Sequence, residues 1–231
     1  MASIPSVCPP SVSGIDWQLD KLLTIIPELQ NAKATRPKFS EEALSEAESI
    51  LVVPKWNLLA SDYNSAVFKI VGVLSKISEW ELNIRCLDQL ANPEHLRRGE
   101  RSERALDRIS AIQPENDFLI FPFQSGRRHR DISARKATEV MEEKSRRSLG
   151  FHYEFGLGLS EVVIMLLLFP ERLARREDLW IYCAGDEAAH SSGKFNHVPT
   201  ISFRDGGLRL SFQGNTGADL DYGVATGFVP S

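Results

Sequence analysis

Apolar residues recur at helical spacing along the first half of the chain. A first stripe begins at Ile15 and stops at Pro27, because a proline inside a helix removes a backbone hydrogen bond. A second helix is predicted from the capping residue Ser40 to just before Pro54. Further helical stripes cover residues 67–77, residues 80–90 and the segment after Pro93. We therefore predict an extended arm over residues 1–14 and a helical region of about four or five helices over residues 15–114.

The pattern changes near residue 115. Residues 118–121 form a short apolar run typical of a buried strand, and an amphipathic helix is expected from Ser133 to a terminating Gly150. Residues 160–169 are apolar on every side, as in a fully buried helix. Alternating residues on both sides of 205–207 (Asp-Gly-Gly) predict a hairpin. The fold class expected is α+β: a helical N-terminal half, then a region 115–231 with a small, mostly antiparallel sheet and a buried apolar helix. Whether the two halves form one domain is left open.

The charge and cysteine content narrow the class of protein. The chain has 27 basic and 31 acidic residues, a net charge of −4, which argues against a surface devoted to nucleic acid or to acidic membranes. Its three cysteines, Cys8, Cys86 and Cys183, are too few and too scattered for a disulfide framework. The longest apolar run covers only residues 162–169, whereas a membrane span needs roughly 20 residues. The sequence therefore predicts a soluble, cytoplasmic protein that does not associate with a membrane.

The densest group of chemically active side chains follows the predicted strand 118–121. Free amides at a helix N-terminus attract anions, and arginines add paired contacts to phosphate or carboxylate, while a histidine can exchange a proton near neutral pH. We therefore predict a ligand-binding turn for an anionic group or a protein partner. Its residues are Ser125, Gly126, Arg127, Arg128, His129 and Arg130.

Nucleic-acid binding is a less favoured partner class. Residues 127–147 contain eight basic and four acidic side chains, a local positive surplus of four. The arginines of residues 97–108, however, alternate with acidic residues, as on a solvated helix with salt bridges. The basic stretch itself also lacks the aromatic residues on which bases stack.

A second candidate site follows the predicted strand that ends at Cys183. Asp186, Glu187, His190 and His197 are residue types that bind metal ions, but their spacing matches no metal signature, so the metal prediction is weak. Asp186 and Glu187 also occupy a strand end, where acid–base groups are often found. If the protein is an enzyme, we expect these two carboxylates to converge with His129. Nothing in the sequence indicates a cofactor.

Three classes of function fit these features. The favoured class is a non-enzymatic binding or adaptor protein that recognises a partner, or a ligand bearing phosphate or carboxylate, through residues 125–130. The first alternative is a hydrolase or phosphoryl-transfer enzyme in which His129 acts with the neighbouring arginines. The second is a structural or assembly protein whose charged segments are interfaces. The sequence does not define the oligomeric state.

Overall fold

The computed structural model describes residues 13–77, 82–84, 92, 94–147, 153–173, 178–189 and 193–230. The helices in these residues are α1 Ser13–Ile25, α2 Glu41–Ser45, α3 Tyr63–Ile77, α4 Glu100–Ile112, α5 Ala134–Arg147 and α6 Leu159–Leu168. The strands are β1 Ser49–Pro54, β2 Leu82–Ile84, β3 Leu96–Arg98, β4 Phe118–Gln124, β5 Glu154–Gly156, β6 Trp180–Tyr182, β7 Asp186–Ala189, β8 Phe195–Arg204, β9 Gly207–Gly214, β10 Tyr222–Val224 and β11 Thr226–Phe228.

The first of two sheets has the strand order β1–β4–β11–β5, with antiparallel neighbours throughout. All six residues of β1 are buried, and Val52 lies opposite Ile120 of β4. Both strands are therefore covered on both faces, which explains why they read as continuous apolar runs rather than as alternating patterns.

The second sheet is built around the long strand β8. The β8–β9 hairpin closes between Arg204 and Gly207, with Asp205 and Gly206 at φ angles of 55° and 82°. Two successive positive φ angles suit the right-handed twist of a two-residue hairpin, so the predicted hairpin is confirmed. Strands β6 and β7 pair antiparallel with β8, and β3 pairs antiparallel with β7. Strands β10 and β2 pair parallel with β6 and β9, so this sheet is mixed.

The apolar helix predicted over residues 160–169 is confirmed as α6. All ten of its residues are buried, and it packs against α1, α3 and β1. Side chains from both halves of the chain, from Ile15 to Val229, join in one apolar core. In the part of the chain that the structure describes, no helix has both the length and the apolar character needed to cross a membrane.

The structure agrees with a mixed α+β fold but contradicts a helical N-terminal half. The helix expected from Ser40 to Pro54 ends at Ser45, and Ser49–Pro54 is a strand. The β-branched residues Ile50, Val52 and Val53 favour an extended backbone, and pairing with β4 buries both of their faces. Short strands also occur at β2 and β3. The remainder of the helix expected over 80–90 lies outside the described residues.

Candidate functional site

The predicted anion-binding turn, residues 125–130, follows β4 directly and is called the basic turn below. Its start is fixed from two sides: the Glu48 carboxylate accepts hydrogen bonds from the amide and hydroxyl of Ser125, and Arg172 donates to the Ser125 carbonyl. Gly126 has a φ of 114°, and an added Cβ would lie 3.2 Å from the carbonyl carbon of Gly223, so a side chain at this position would be strained. The basic turn is therefore a rigid part of the fold.

The arginines of the basic turn have carboxylate partners. Arg128 Nη1 lies 2.6 Å from Glu46 Oε2, and Lys144 of α5 lies 2.7 Å from the same oxygen. Arg127 Nε lies 3.9 Å from Glu48 Oε1, and Arg130 pairs with the neighbouring Asp131 at 3.2 Å.

The ionisation of Glu46 follows from these contacts. Partial burial alone would raise the pKa of Glu46, but hydrogen bonds from Lys144 and Arg128 outweigh that effect and hold the pKa below its ordinary value. Glu46 is therefore ionised at neutral pH, and it offsets charge that the sequence assigned to an external anion.

His129 is the buried member of the basic turn. Its Nε2 lies 2.9 Å from Glu154 Oε1, an oxygen that also accepts a hydrogen bond from Thr226 at 2.9 Å. His129 and Glu154 are only 5% and 1% exposed. Burial would raise the pKa of Glu154, but the hydrogen bond and charge of His129 lower it overall. The contacts of His129 with Glu154 of β5, and of Glu154 with Thr226 of β11, hold the turn against these two strands. Because both His129 and Glu154 are buried, the pair is suited to a structural role rather than to contact with a ligand.

The residues of the second candidate site, which follows Cys183, lie in different surroundings. Asp186 is fully buried, whereas Glu187 forms an ion pair with Arg97 at 2.6 Å. His197 lies in β8, where its Nδ1 is 2.7 Å from Asn196 Oδ1. His190 lies outside the described residues. Among the residues that are described, no group of three or more His, Cys, Asp or Glu side chains could hold a metal ion.

Asp186 belongs to a buried polar cluster at the start of α6, called here the cap cluster. In this cluster, the Tyr63 hydroxyl donates a hydrogen bond to Asp186 at 2.8 Å. His129 is not connected to the cluster by the described hydrogen bonds, because its side-chain partner is Glu154. The Leu159 amide also donates to Asp186, at 2.7 Å. The full cap cluster is Tyr63, Arg98, Ser160, Glu161 and Asp186.

Arg98 and Glu161 form the charged half of the cap cluster. The two side chains form a bidentate ion pair with N–O distances of 3.0 and 2.9 Å, and Arg98 also donates to Ser160 at 3.0 Å. Burial would raise the pKa of Glu161, but the Arg98 charge lowers it. Burial raises the pKa of Asp186 to about 6, opposed by Arg98 and reinforced by Glu161. Glu161 also accepts a hydrogen bond from the Gly158 amide. The cluster therefore supplies acceptors for backbone amides at the N-terminus of α6 that have no partner within the helix.

A groove of about 620 Å³ lies between α4 and α5, and we call it the α4–α5 groove. This volume falls in the range of small-molecule sites. Tyr153, Gly156 and Ala184 complete its wall. Its charged lining residues are Glu100, Arg101, Arg104, Glu142, Arg146 and Glu187.

Arg101 is the half-buried cation of this groove. Its Nε donates to the Glu154 carbonyl at 3.1 Å, and its Nη2 donates to the Met141 carbonyl at 3.1 Å and to Ser145 Oγ at 2.7 Å. The guanidinium lies over the Tyr153 ring, 4.3 Å from its centroid. Burial lowers the pKa of Arg101, but a guanidinium stays charged at neutral pH.

The free face of Arg101 distinguishes it from the arginines of the basic turn. Among the described residues, Arg101 Nη1 has no hydrogen-bond acceptor, and this nitrogen is accessible to solvent. The Arg101 side chain also has no ion-pair partner in this part of the chain. Arg146, exposed on the same groove, likewise has no ion pair within the described part of the chain. Two lining acids already have ion-pair partners: Glu100 pairs with Arg104 within the lining, and Glu187 pairs with Arg97 outside it. The groove therefore presents a fixed guanidinium that forms no ion pair among the described residues, although the charges of Glu142 and Glu154 act on it.

The sequence contained a partial signal for this groove. Arg101 and Arg104 belong to the arginine-rich segment whose pattern indicates a solvated helix with salt bridges, and Arg104–Glu100 is such a pair. Arg101 differs because Tyr153 and the carbonyl of Glu154 come from a distant segment. Comparisons of the chain with known protein families, with curated proteins and with solved structures found no match.

Proposed function

We propose that this protein is a non-enzymatic binding protein that recognises a ligand bearing a carboxylate or phosphate group, and that the α4–α5 groove receives that group. The observation that carries the proposal is the state of Arg101: a half-buried guanidinium, fixed on three sides, whose Nη1 donors remain unpaired among the described residues. A donor that is already immobilised loses little conformational entropy when an anion binds, which increases affinity.

Arg146 and Tyr153 support the same location. Arg146 lines the groove opposite α4 and adds a second positive charge without an ion-pair partner in the described residues. The Tyr153 ring lies beneath Arg101 and helps to hold the guanidinium in place, and aromatic side chains are common in the lining of such sites. The lining acid Glu142 partly offsets the two arginines. Arg101, Arg146 and Glu142 together carry one net positive charge, which favours a ligand with one negative charge at the contact.

The basic turn is the less suitable binding site for the anion. Glu48 and Glu46 pair with Arg127 and Arg128, so a ligand at these arginines would have to displace internal carboxylates. In the α4–α5 groove no such exchange is required at Arg101. We therefore propose that the ligand is anionic, as the sequence indicates, and that it binds in the α4–α5 groove. The helix α5, which follows the basic turn, forms one side of this groove.

The experiment compares two neighbouring arginines of α5. Arg146 lines the groove, whereas Arg147 does not and pairs with Glu143. Melting temperatures would be measured for the wild type, Arg146→Glu and Arg147→Glu at constant ionic strength, with chloride replaced by inorganic phosphate in one arm and by acetate in the other. A ligand that binds only the folded state stabilises it by RT ln(1 + [L]/Kd), so the melting temperature keeps rising with the logarithm of ligand concentration after the site is full.

We expect the melting temperatures of the wild type and of Arg147→Glu to rise with ligand concentration along this logarithmic relation, with the same Kd, and the rise to be lost in Arg146→Glu. The arm with the larger effect identifies phosphate or carboxylate as the preferred group. Equal stabilisation of all three proteins, or of none, would contradict the proposal.

A further inference from the structure

A second cavity, of about 300 Å³, lies on the opposite flank of α4 and is called the acidic cavity here. Its rim includes Glu103 and Asp107, which are four residues apart on α4 and therefore share one helix face. The charged residues of α4 that line the α4–α5 groove are instead Arg101 and the ion pair of Arg104 with Glu100, which leaves one positive charge. The two flanks of one helix thus present opposite charges to two separate cavities.

The rim carboxylates are not neutralised by the fold. Among the described residues, neither Glu103 nor Asp107 forms an ion pair. Lys55 also lines the cavity, so the rim carries two negative charges and one positive charge. Arg98 and Glu161 in the floor pair with each other and cancel. The remaining excess is negative and favours a cationic ligand.

The walls of the acidic cavity suit an organic cation better than a bare metal ion. Trp56 and the apolar side chain Leu106 line it, whereas the Tyr63 ring in the same lining already packs under the Arg98 guanidinium, 4.3 Å from its centroid. Trp56 is 42% exposed, so part of its indole is available to a ligand. Aromatic faces attract ammonium groups through their electron-rich π surface, and apolar walls contact alkyl carbon. Both features match an alkylammonium group.

The floor adds a requirement for an oxygen atom. Arg98 is nine-tenths buried in the floor, and its Nε has no hydrogen-bond acceptor among the described residues. A buried donor without an acceptor is costly, and this cost favours a small movement of the floor that uncovers the nitrogen and lets a ligand oxygen accept its hydrogen bond. Nearby Glu161 and Asp186 would repel a carboxylate, so a neutral hydroxyl or carbonyl oxygen fits this position.

We propose that the acidic cavity is a second binding site, which takes a small organic ammonium compound that carries a neutral oxygen at its other end. The ammonium group lies between the carboxylates of Glu103 and Asp107 at the rim. The alkyl chain passes the aromatic wall, and the oxygen accepts a hydrogen bond in the floor from Arg98. This site is independent of the anion-binding groove, because its lining residues are different.

Three probes of nearly equal size separate the contributions of the two ends. Aminopropanol has both the ammonium and the hydroxyl group, butylamine lacks the oxygen, and butanol lacks the charge. Each would be titrated into the full chain at neutral pH while NMR follows the indole N–H signal of Trp56. We expect saturable binding of aminopropanol, roughly fivefold weaker binding of butylamine and no saturable binding of butanol.

Neutral variants test the rim. The double variant Glu103→Gln/Asp107→Gln should bind aminopropanol about tenfold more weakly, because two partly exposed charge contacts are lost. Glu115→Gln is the matched control, since Glu115 is exposed but does not line the cavity. Exposed side chains are replaced in each case, and an unchanged melting temperature verifies the fold. No saturable binding, equal binding of butanol, or full affinity in the double variant would overturn the proposal.

Discussion

The side chain of Gln18 in α1 takes the place of a neighbouring strand along the edge of β1. Its Nε2 donates to the Ile50 carbonyl at 2.8 Å, and its Oε1 accepts from the Val52 amide at 3.0 Å. Gln18 is 2% exposed, so water cannot replace either contact. One helical side chain thereby satisfies two backbone groups at the open edge of the first sheet.

Replacing Gln18 by Ala should destabilise the protein by about 3 kcal/mol, because a buried carbonyl and a buried amide would both lose their partners. Urea unfolding at neutral pH measures this difference. Gln30→Ala is the control, since Gln30 is exposed, and it should change the free energy of unfolding by less than about 0.5 kcal/mol. Equal effects of the two substitutions would show that the edge contacts of Gln18 contribute nothing.

The raised pKa of Asp186 gives a defined pH dependence. Because its pKa is about 6 in the folded protein and near 3.8 otherwise, the folded state binds more protons than the unfolded state between these values. Stability from this group is therefore present at low pH and lost as the pH rises through about 6. Relative to the wild type, Asp186→Asn should become more stable by up to about 3 kcal/mol between pH 4 and pH 7. A stability difference that is constant with pH would contradict the assignment.

Glu46 should show the opposite dependence. Its pKa is lowered overall, so its contribution to stability is present at neutral pH and is lost as the pH falls below the ordinary carboxyl range. Glu46→Gln should cost about 1 kcal/mol at neutral pH through its contacts with Arg128 and Lys144, and nearly nothing at about pH 2. The exposed Glu41→Gln is the comparison for the same denaturant titrations. A loss that persists undiminished in acid would rule out a charge effect.

Gly185 marks the closest backbone approach near the cap cluster. A Cβ at this residue would come within 3.0 Å of the Gly156 carbonyl oxygen, the Leu157 carbonyl carbon and the Gly158 amide nitrogen. These are backbone atoms that cannot turn aside, so Gly185→Ala should cost at least about 3 kcal/mol or prevent folding. Gly214→Ala, with no atom within 4 Å of the added Cβ, should leave the melting temperature almost unchanged. A folded Gly185→Ala protein of wild-type stability would mean that 156–158 and 184–185 are not in contact.

Local patterns predicted several elements of the fold. The α6 helix follows from an unbroken apolar run, and the β8–β9 hairpin follows from Asp205, Gly206 and Gly207, because both depend on residues close in sequence. The strand β1 was missed because its residues follow a helix-favouring stretch, and its stability comes from β4, about 70 positions further along.

The state of each arginine was beyond local reasoning. Arg128 is neutralised by Glu46, 82 positions away, while Arg101 is oriented by Glu154, 53 positions away. Charge counts along the sequence cannot distinguish a paired arginine from one whose donors remain free. The sequence therefore favoured an anionic ligand but placed it at the basic turn, whereas the contacts of Arg101 favour the adjoining groove.

The most direct measurement of the anion proposal is an NMR titration of the wild-type protein with phosphate and, separately, acetate. Backbone amides and the Arg101 Nε–H signal would be followed at constant ionic strength. The account predicts saturable shifts at Arg101, Tyr153 and Arg146, with residues 125–130 largely unaffected. Saturable shifts confined to residues 125–130, or no saturable shift at Arg101, would contradict it.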